Sequence, residues 1–230
     1  MSLLSLIARP RWLRPAAIEG DPFFEDVLLL LHMNGTDGGT TFTDSSRFAR
    51  TVTRSGATTA SAHKKFGDAS MSVDNVQGVS VASSAAFGLA DEDFTVEAWV
   101  RPTSLAGRKG IADFGSSNHF IFEISESSTF KAWLWSGSAF AIATGSTTVS
   151  TNTWYHVAVT RSGTTLKLWV NGSEDGSAAS ASGPPNSSYE VRIGVTQASG
   201  FAGYIDEFRI TRQARYSAAF SVPVKPFPDR

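Results

Sequence analysis

The sequence predicts an all-β protein, two antiparallel sheets packed face to face as a sandwich of the jelly-roll type. Three observations carry this expectation. Short apolar stretches recur between turns rich in Gly, Ser, Thr and Asn, as expected of an all-β chain. Period-two alternation places Phe94, Val96, Ala98 and Val100 on one face and Thr95, Glu97, Trp99 and Arg101 on the other. It recurs in Leu166, Leu168 and Val170 against Lys167, Trp169 and Asn171. Finally, Asn171-Gly172 in "VNGSEDG" is the turn of a tight hairpin, because both residues tolerate positive φ. A length of 230 residues suits one such domain, and 16 Phe and 6 Trp supply its large apolar area.

Residues 1–22 have a different character and read as an N-terminal arm. Arg9, Arg11 and Arg14 outnumber its acids, and Pro10, Pro15 and Pro22 exclude a long helix. Leu3, Leu4, Leu6, Ile7 and Trp12 give the arm an apolar side. These five residues and the three arginines are the candidates for anchoring on a partner or a neighbouring subunit. Extended at about 3.3 Å per residue, the arm would reach on the order of 70 Å.

The sandwich is expected over residues 23–220, with a C-terminal tail over 221–230. "VLLLLHM", from Val27, is a continuous apolar run that fits a strand buried on both faces. "NGTDGGTTFTDSS" is turn chemistry around a short strand. Strands then follow in "ASMSVD", "GVSVA", "DFTVEAWVRP", "KGIADFG", "HFIFEIS", "TFKAWLWS", "FAIATG", "TWYHVAVTR", "TLKLWVNG", "YEVRIGV" and "GYIDEFRIT". "SSAAFGLADED" allows a turn of helix, and "SAASASGPPNSS" is a loop by composition. No repeat of fixed period appears, which argues against a propeller or solenoid.

Composition narrows the function classes. A formal net charge of -1 with 18% charged residues argues against a general nucleic-acid or membrane-surface binder. Nothing approaches the run of about 20 apolar residues that membrane insertion needs. The apolar run Leu3 to Ala8 is too short for a secretory core, so synthesis in the cytoplasm is expected. With no cysteine there is no disulfide, zinc-thiolate or cysteine nucleophile. His32, His63, His119 and His156 lack ligand spacing, and His156 in "WYHVAV" reads as a strand histidine in or near the core. No G-x-S-x-G elbow or Walker-type loop occurs. "DEDF", from Asp91, reads as a solvated turn.

Aromatics are the better lead. Trp99, Trp133, Trp135 and Trp169 lie in strands, in the phase opposite to the aliphatic residues beside them. On an open face these indoles would stack on sugar rings, which are apolar on their faces and polar at their edges. The structural alternative is packing between the sheets or under loops. In "GYIDEFRITRQARY", strict alternation puts Tyr204, Asp206, Phe208 and Ile210 on one face and Ile205, Glu207 and Arg209 on the other. The two adjacent acids would then point to opposite sides, unable to act on one bond, with Glu207 paired to a nearby base.

Several strands, in this order, resemble one family. "LLLHMNGTDGGTTFTDSS", "KKFGDASMSVD", "DFTVEAWVRP", "NTWYHVAVTRSGTTLKLWVNG" and "GYIDEFRITRQARY" are similar to the laminin G-like branch of the concanavalin A-like lectin/glucanase superfamily, in the form found in bacteriophage structural proteins. The resemblance covers roughly residues 26–220. It implies a concanavalin A-like jelly roll and a non-enzymatic virion structural protein, on a phage tail or as a head decoration, present as an oligomer at the virion surface. Residues 1–22 would meet other virion proteins. A carbohydrate-binding module recognising host glycans is the alternative it admits, and a glycoside hydrolase a remote one. Enzymes of the superfamily carry acids at alternate strand positions, as a pair about 5–5.5 Å apart when retaining. Here "FEISES" puts Glu123 and Ser125 on one face and Glu126 on the other. No cofactor is required, but the resemblance admits a structural calcium ion at Asp206, with Asp44 and Asp37 as further candidates.

Overall fold

The computed structural model describes residues 20–89, 92–115, 120–135, 139–180, 188–197 and 199–230. The arm residues Leu3, Leu4, Leu6, Ile7, Arg9, Arg11, Trp12 and Arg14 lie outside the described residues. The strands, in chain order, begin with β1 (Val27–Leu31), β2 (Val52–Ser55), β3 (Thr58–Ala60), β4 (Ser70–Asp74), β5 (Gly78–Ser84), β6 (Phe94–Pro102) and β7 (Lys109–Phe114). They continue with β8 (Phe120–Ile124), β9 (Thr129–Trp135), β10 (Phe140–Thr148), β11 (Tyr155–Ser162), β12 (Thr165–Val170), β13 (Ser173–Ala179), β14 (Tyr189–Ile193) and β15 (Ala202–Thr211).

They form two antiparallel sheets. One runs β13-β12-β11-β6-β15-β4-β3, with β1 also on β15; the other runs β10-β9-β8-β7-β14-β5-β2. The inward phase of each strand fills the space between them: Phe94, Val96, Ala98 and Val100 from β6 meet Phe120, Phe122 and Ile124 from β8 and Phe130, Ala132 and Leu134 from β9. Full burial of one such phenylalanine is worth about 1.5–3 kcal/mol relative to exposure. The expected hairpin is present, with Val170 opposite Ser173 and positive φ at Asn171 (49°) and Gly172 (81°). The expected turn of helix is a short 3-10 segment, Ala85–Phe87, whose Ser84 side chain accepts a bond from the Ala86 N–H.

The chain after β15 does not hang free. It returns across the outer face of the eight-stranded sheet as a strap over residues 212–230. The Arg212 N–H donates to the Asp26 carbonyl (2.9 Å), the Phe220 N–H to the Gly172 carbonyl (2.9 Å), and the Asp21 N–H to the Arg230 carbonyl (2.8 Å). Tyr216 and Phe220 stack at 3.5 Å, and Phe227 closes a second small cluster with Val27 and Leu30. That cluster explains the uninterrupted apolar run of β1. Leu29 and Leu31 face the core, while Val27 and Leu30 face the strap, so both sides of the strand are buried.

β15 pairs with β6 along one side. Along the other it meets two strands end to end, β4 opposite Ala202–Ile205 and β1 opposite Phe208–Thr211. Where it changes partner, Glu207 takes φ 51° and the register with β6 slips from Asp206↔Trp99 to Arg209↔Glu97. This β-bulge overturns the strict alternation expected of "YIDEFRI". Ile205, Phe208 and Ile210 face the core, while Asp206, Glu207 and Arg209 all face outward under the strap and its neighbouring loops.

Candidate functional site

The outward side chains of the two sheets have opposite fates. On the eight-stranded sheet they are covered. Glu97, fully buried, accepts two bonds from Arg209 through Oε1 (2.9 and 2.8 Å). Its Oε2 accepts from the Tyr216 hydroxyl (2.7 Å) and meets His156 Nε2 at 3.2 Å. Arg209 and Arg215 also clamp Asp21, at 2.9 and 2.6 Å. Burial alone would raise the carboxyl pKa of Glu97, but Arg209 and His156 override it and hold the group ionised well below the usual range. Asp21 is likewise lowered, against its own desolvation, chiefly by Arg215. His156 is indeed buried, although under the strap instead of between the sheets.

The same cover removes two of the four candidate tryptophans. Trp99 is 4% exposed, with the Lys65 ammonium 3.9 Å from its ring and Phe66 and His156 edge-on to it. Trp169 is 0% exposed, lies under Tyr216 and Phe220, and donates its indole N–H to Thr160 (2.8 Å). Neither presents a face to a ligand, which corrects the expectation for Trp99 and Trp169. Alternation shows which tryptophans point outward but not which outer face the chain then covers.

Asp206 and Glu207 are struts of the seam between β1 and β4. Glu207 holds His32, just past β1, at 2.9 Å and accepts the Phe227 N–H of the strap (2.8 Å). Asp206 Oδ2 accepts the N–H groups of Lys65 (2.8 Å) and Phe66 (3.1 Å), in the loop before β4. Desolvation, with a smaller contribution from Glu207, pushes the Asp206 carboxyl up to about 7. Burial would lower His32, but its bond to Glu207 prevails and raises it.

Calcium takes six to eight oxygens, and the three candidate carboxylates do not converge on one point. Asp44 spends its carboxylate on the N–H groups of Leu30, Ser46 and Arg50, and Asp37 spends its own on Ser61. The structure brings neither to Asp206, and among the described residues no three His, Cys, Asp or Glu side chains form a metal-holding group. Addition of a chelator should therefore leave the thermal midpoint unchanged. A fall of several degrees that added calcium reverses would refute this assignment.

On the seven-stranded sheet the outer face is open at the β9–β10 edge. Trp133 and Trp135 point outward, half-buried, with Leu134 between them in the core. Directly opposite on β10 stand Ile142, paired with Trp133, and Phe140, paired with Trp135. Phe140 is 44% and Ile142 38% exposed, among the few large apolar side chains so open to solvent. The rings contact one another, Trp135 and Phe140 at 4.7 Å and Trp133 and Phe140 edge-on at 5.9 Å. Beside this platform a cavity of about 320 Å³ is lined by Arg108, Glu123, Ser125, Glu126, Lys131 and Trp133, among others. Glu123 is buried, receives Arg108 through Nε (2.9 Å) and Nη2 (2.6 Å), and accepts the Trp133 indole N–H (3.1 Å). It thereby fixes the indole plane.

Phe140 and Ile142 escaped the sequence reading. In "FAIATG" the bulky residues point out and Ala141 and Ala143 point in, the reverse of the usual assignment. Large–small alternation in a strand following a Trp-x-Trp strand is the signal that was available.

Two antiparallel sheets packed face to face, one with its outer face covered and the other open, make a lectin-like β-sandwich. The chain belongs to the Laminin_G_3 family of the Concanavalin A-like lectin/glucanases superfamily, which matches residues 73–219. No curated relative matches the sequence. Among solved structures it is similar to the binding domain of Paraclostridial Mosquitocidal Protein 1 (TM-score 0.67, 13% identity, 84% of this chain and 50% of that one). It is also similar to domain 4 of AbnA, a GH43 extracellular arabinanase from Geobacillus stearothermophilus, in complex with arabinotriose (0.63, 19%, 82% and 93%). A third is the binding domain of Botulinum Neurotoxin DC in complex with SialylT (0.63, 14%, 84% and 49%). The chain spans about half the length of the two toxin domains. At these identities the likeness is one of fold.

Proposed function

We propose that the protein is a non-enzymatic carbohydrate-binding module whose sugar platform is the outer face of β9 and β10. The observation that carries this is the open pair of rows Trp133–Ile142 and Trp135–Phe140, an apolar surface beside a polar cavity. A pyranose or furanose ring lays its C–H face on the indoles and turns its hydroxyls toward Ser125, Glu126 and Lys131. Two similar structures carry arabinotriose and SialylT, which supports saccharides as the ligand class. Hydrolysis has no support in the cavity. Both oxygens of Glu123 are engaged by Arg108 and Trp133, which supports a structural role for it, holding the indole.

Titration against a glycan array should give hits that quench tryptophan fluorescence. Trp133→Ala and Trp135→Ala should each weaken those hits by about tenfold or more, about 1.4 kcal/mol or above. Trp99→Phe should leave them unchanged. An array without hits, or hits indifferent to both platform variants, would sink the reading.

A second reading comes from the motif set that resembles phage structural proteins. In it the module is a virion surface component, oligomeric in the particle, held by residues 1–22 to other virion proteins, with host glycans as its ligands. Particle reconstruction with antibody against the sandwich tests it; particles devoid of the chain would reject it.

A further inference from the structure

We infer that the glycan held on the β9–β10 platform carries a carboxylate, and that Lys131 selects it; this rests on the carbohydrate reading of the same face. The Lys131 ammonium stands 4.3 Å from the centroid of the Trp133 ring, an arrangement in which the cation is drawn to the negative face of the indole. Its cross-strand neighbour is Glu123, whose two oxygens are already engaged by Arg108 and the Trp133 N–H. Among the described residues, no carboxylate lies within ion-pairing distance of Lys131. Arg108 is neutralised and Lys131 is not. The platform thus has one cation without an ion-pair partner, half-buried at its flank beside Trp133.

That placement treats neutral and acidic sugars differently. A neutral ring seeking the Trp133 face must displace the ammonium and offers it hydroxyls but no opposite charge. An acidic sugar draws the ammonium off the indole onto its own carboxylate, uncovering the ring while pairing the charge. Desolvation of the bound ligand strengthens that pair relative to its value in water. Glu126, in the turn after β8, is the opposing charge on the cavity rim and weakens the preference without removing it, being exposed and screened by salt.

The test uses matched pairs that differ only in that charge: sialyllactose and its methyl ester, and an oligogalacturonate and its methyl ester, alongside neutral array hits. For the pair that binds, the free acid should bind about fivefold to tenfold tighter than the ester, a gap that closes with added salt. Lys131→Gln should abolish the gap and leave ester binding equal or stronger, because the ring is uncovered. Glu126→Gln should widen it. Esters or neutral glycans binding as tightly as any acid would overturn the carboxylate class while leaving the platform intact. Absence of binding to every glycan would overturn the platform as well.

Discussion

Replacing Arg209 with methionine should lower stability by about 3–5 kcal/mol, because two buried carboxylates lose their shared counter-charge. Arg209 spans Glu97 and Asp21, joining β15, β6 and the segment before β1, and its guanidinium lies 3.8 Å from the Phe227 ring of the strap. For a domain of this size the loss corresponds to a fall in melting temperature of about 6–20 °C. The deficit should shrink as pH falls toward about 5, since Glu97 without its arginine is desolvated with less to keep it ionised, and takes up a proton more readily. Glu97→Gln added to the same background should recover part of the loss, the signature of coupling between the two positions. An Arg209→Met protein that melts within a degree or two of the parent would show that the strap is held by its aromatic contacts and its other hydrogen bonds, without need of this cation.

The second large effect concerns Asp206. Burial pushes its carboxyl up to about 7 from the usual 3.8, so between those pH values the folded chain binds more protons than the unfolded one. Stability from this group therefore falls as pH rises from about 4 to 7, and the full penalty persists above. Asp206→Asn retains an oxygen for the Lys65 and Phe66 N–H groups and carries no charge. It should be more stable than the parent at pH 8, by on the order of a few kcal/mol, and not at pH 4.5. His32 adds a slope of the same sign, its stabilising pair with Glu207 being lost as pH rises through its raised pKa. Urea denaturation of both proteins at the two pH values decides it; an Asn variant less stable than the parent at pH 8 would show that the carboxylate is needed as an anion.

Much of this architecture was legible in the residues themselves. The phase of β6 and β12, the Asn171-Gly172 turn and the doubly buried β1 follow from periodicity and turn chemistry, which act locally. The bulge at Glu207 breaks the strict alternation that its neighbours keep. The apolar spacing Ile205, Phe208, Ile210, a step of three and then two, is what a one-residue insertion writes into a strand. The strap has no period to read. "VPVKPFPDR" is proline-rich, and only the folded neighbours show that Phe227 is buried by it. For the same reason the tryptophans could be assigned outward but not sorted. What separates Trp133 from Trp169 is a segment tens of residues away.

The pairing of Asp21 with the strap has a geometric outcome. Gly20 and Arg230 lie together, on the far side of the molecule from Trp133 and Phe140. Both ends of the described chain therefore sit on that rear side. A support that gripped the rear side would leave the aromatic face turned away from it, like a lamp on a bracket. Copies arrayed on a common scaffold would turn all their platforms toward the same opposing surface, where weak individual contacts add as avidity.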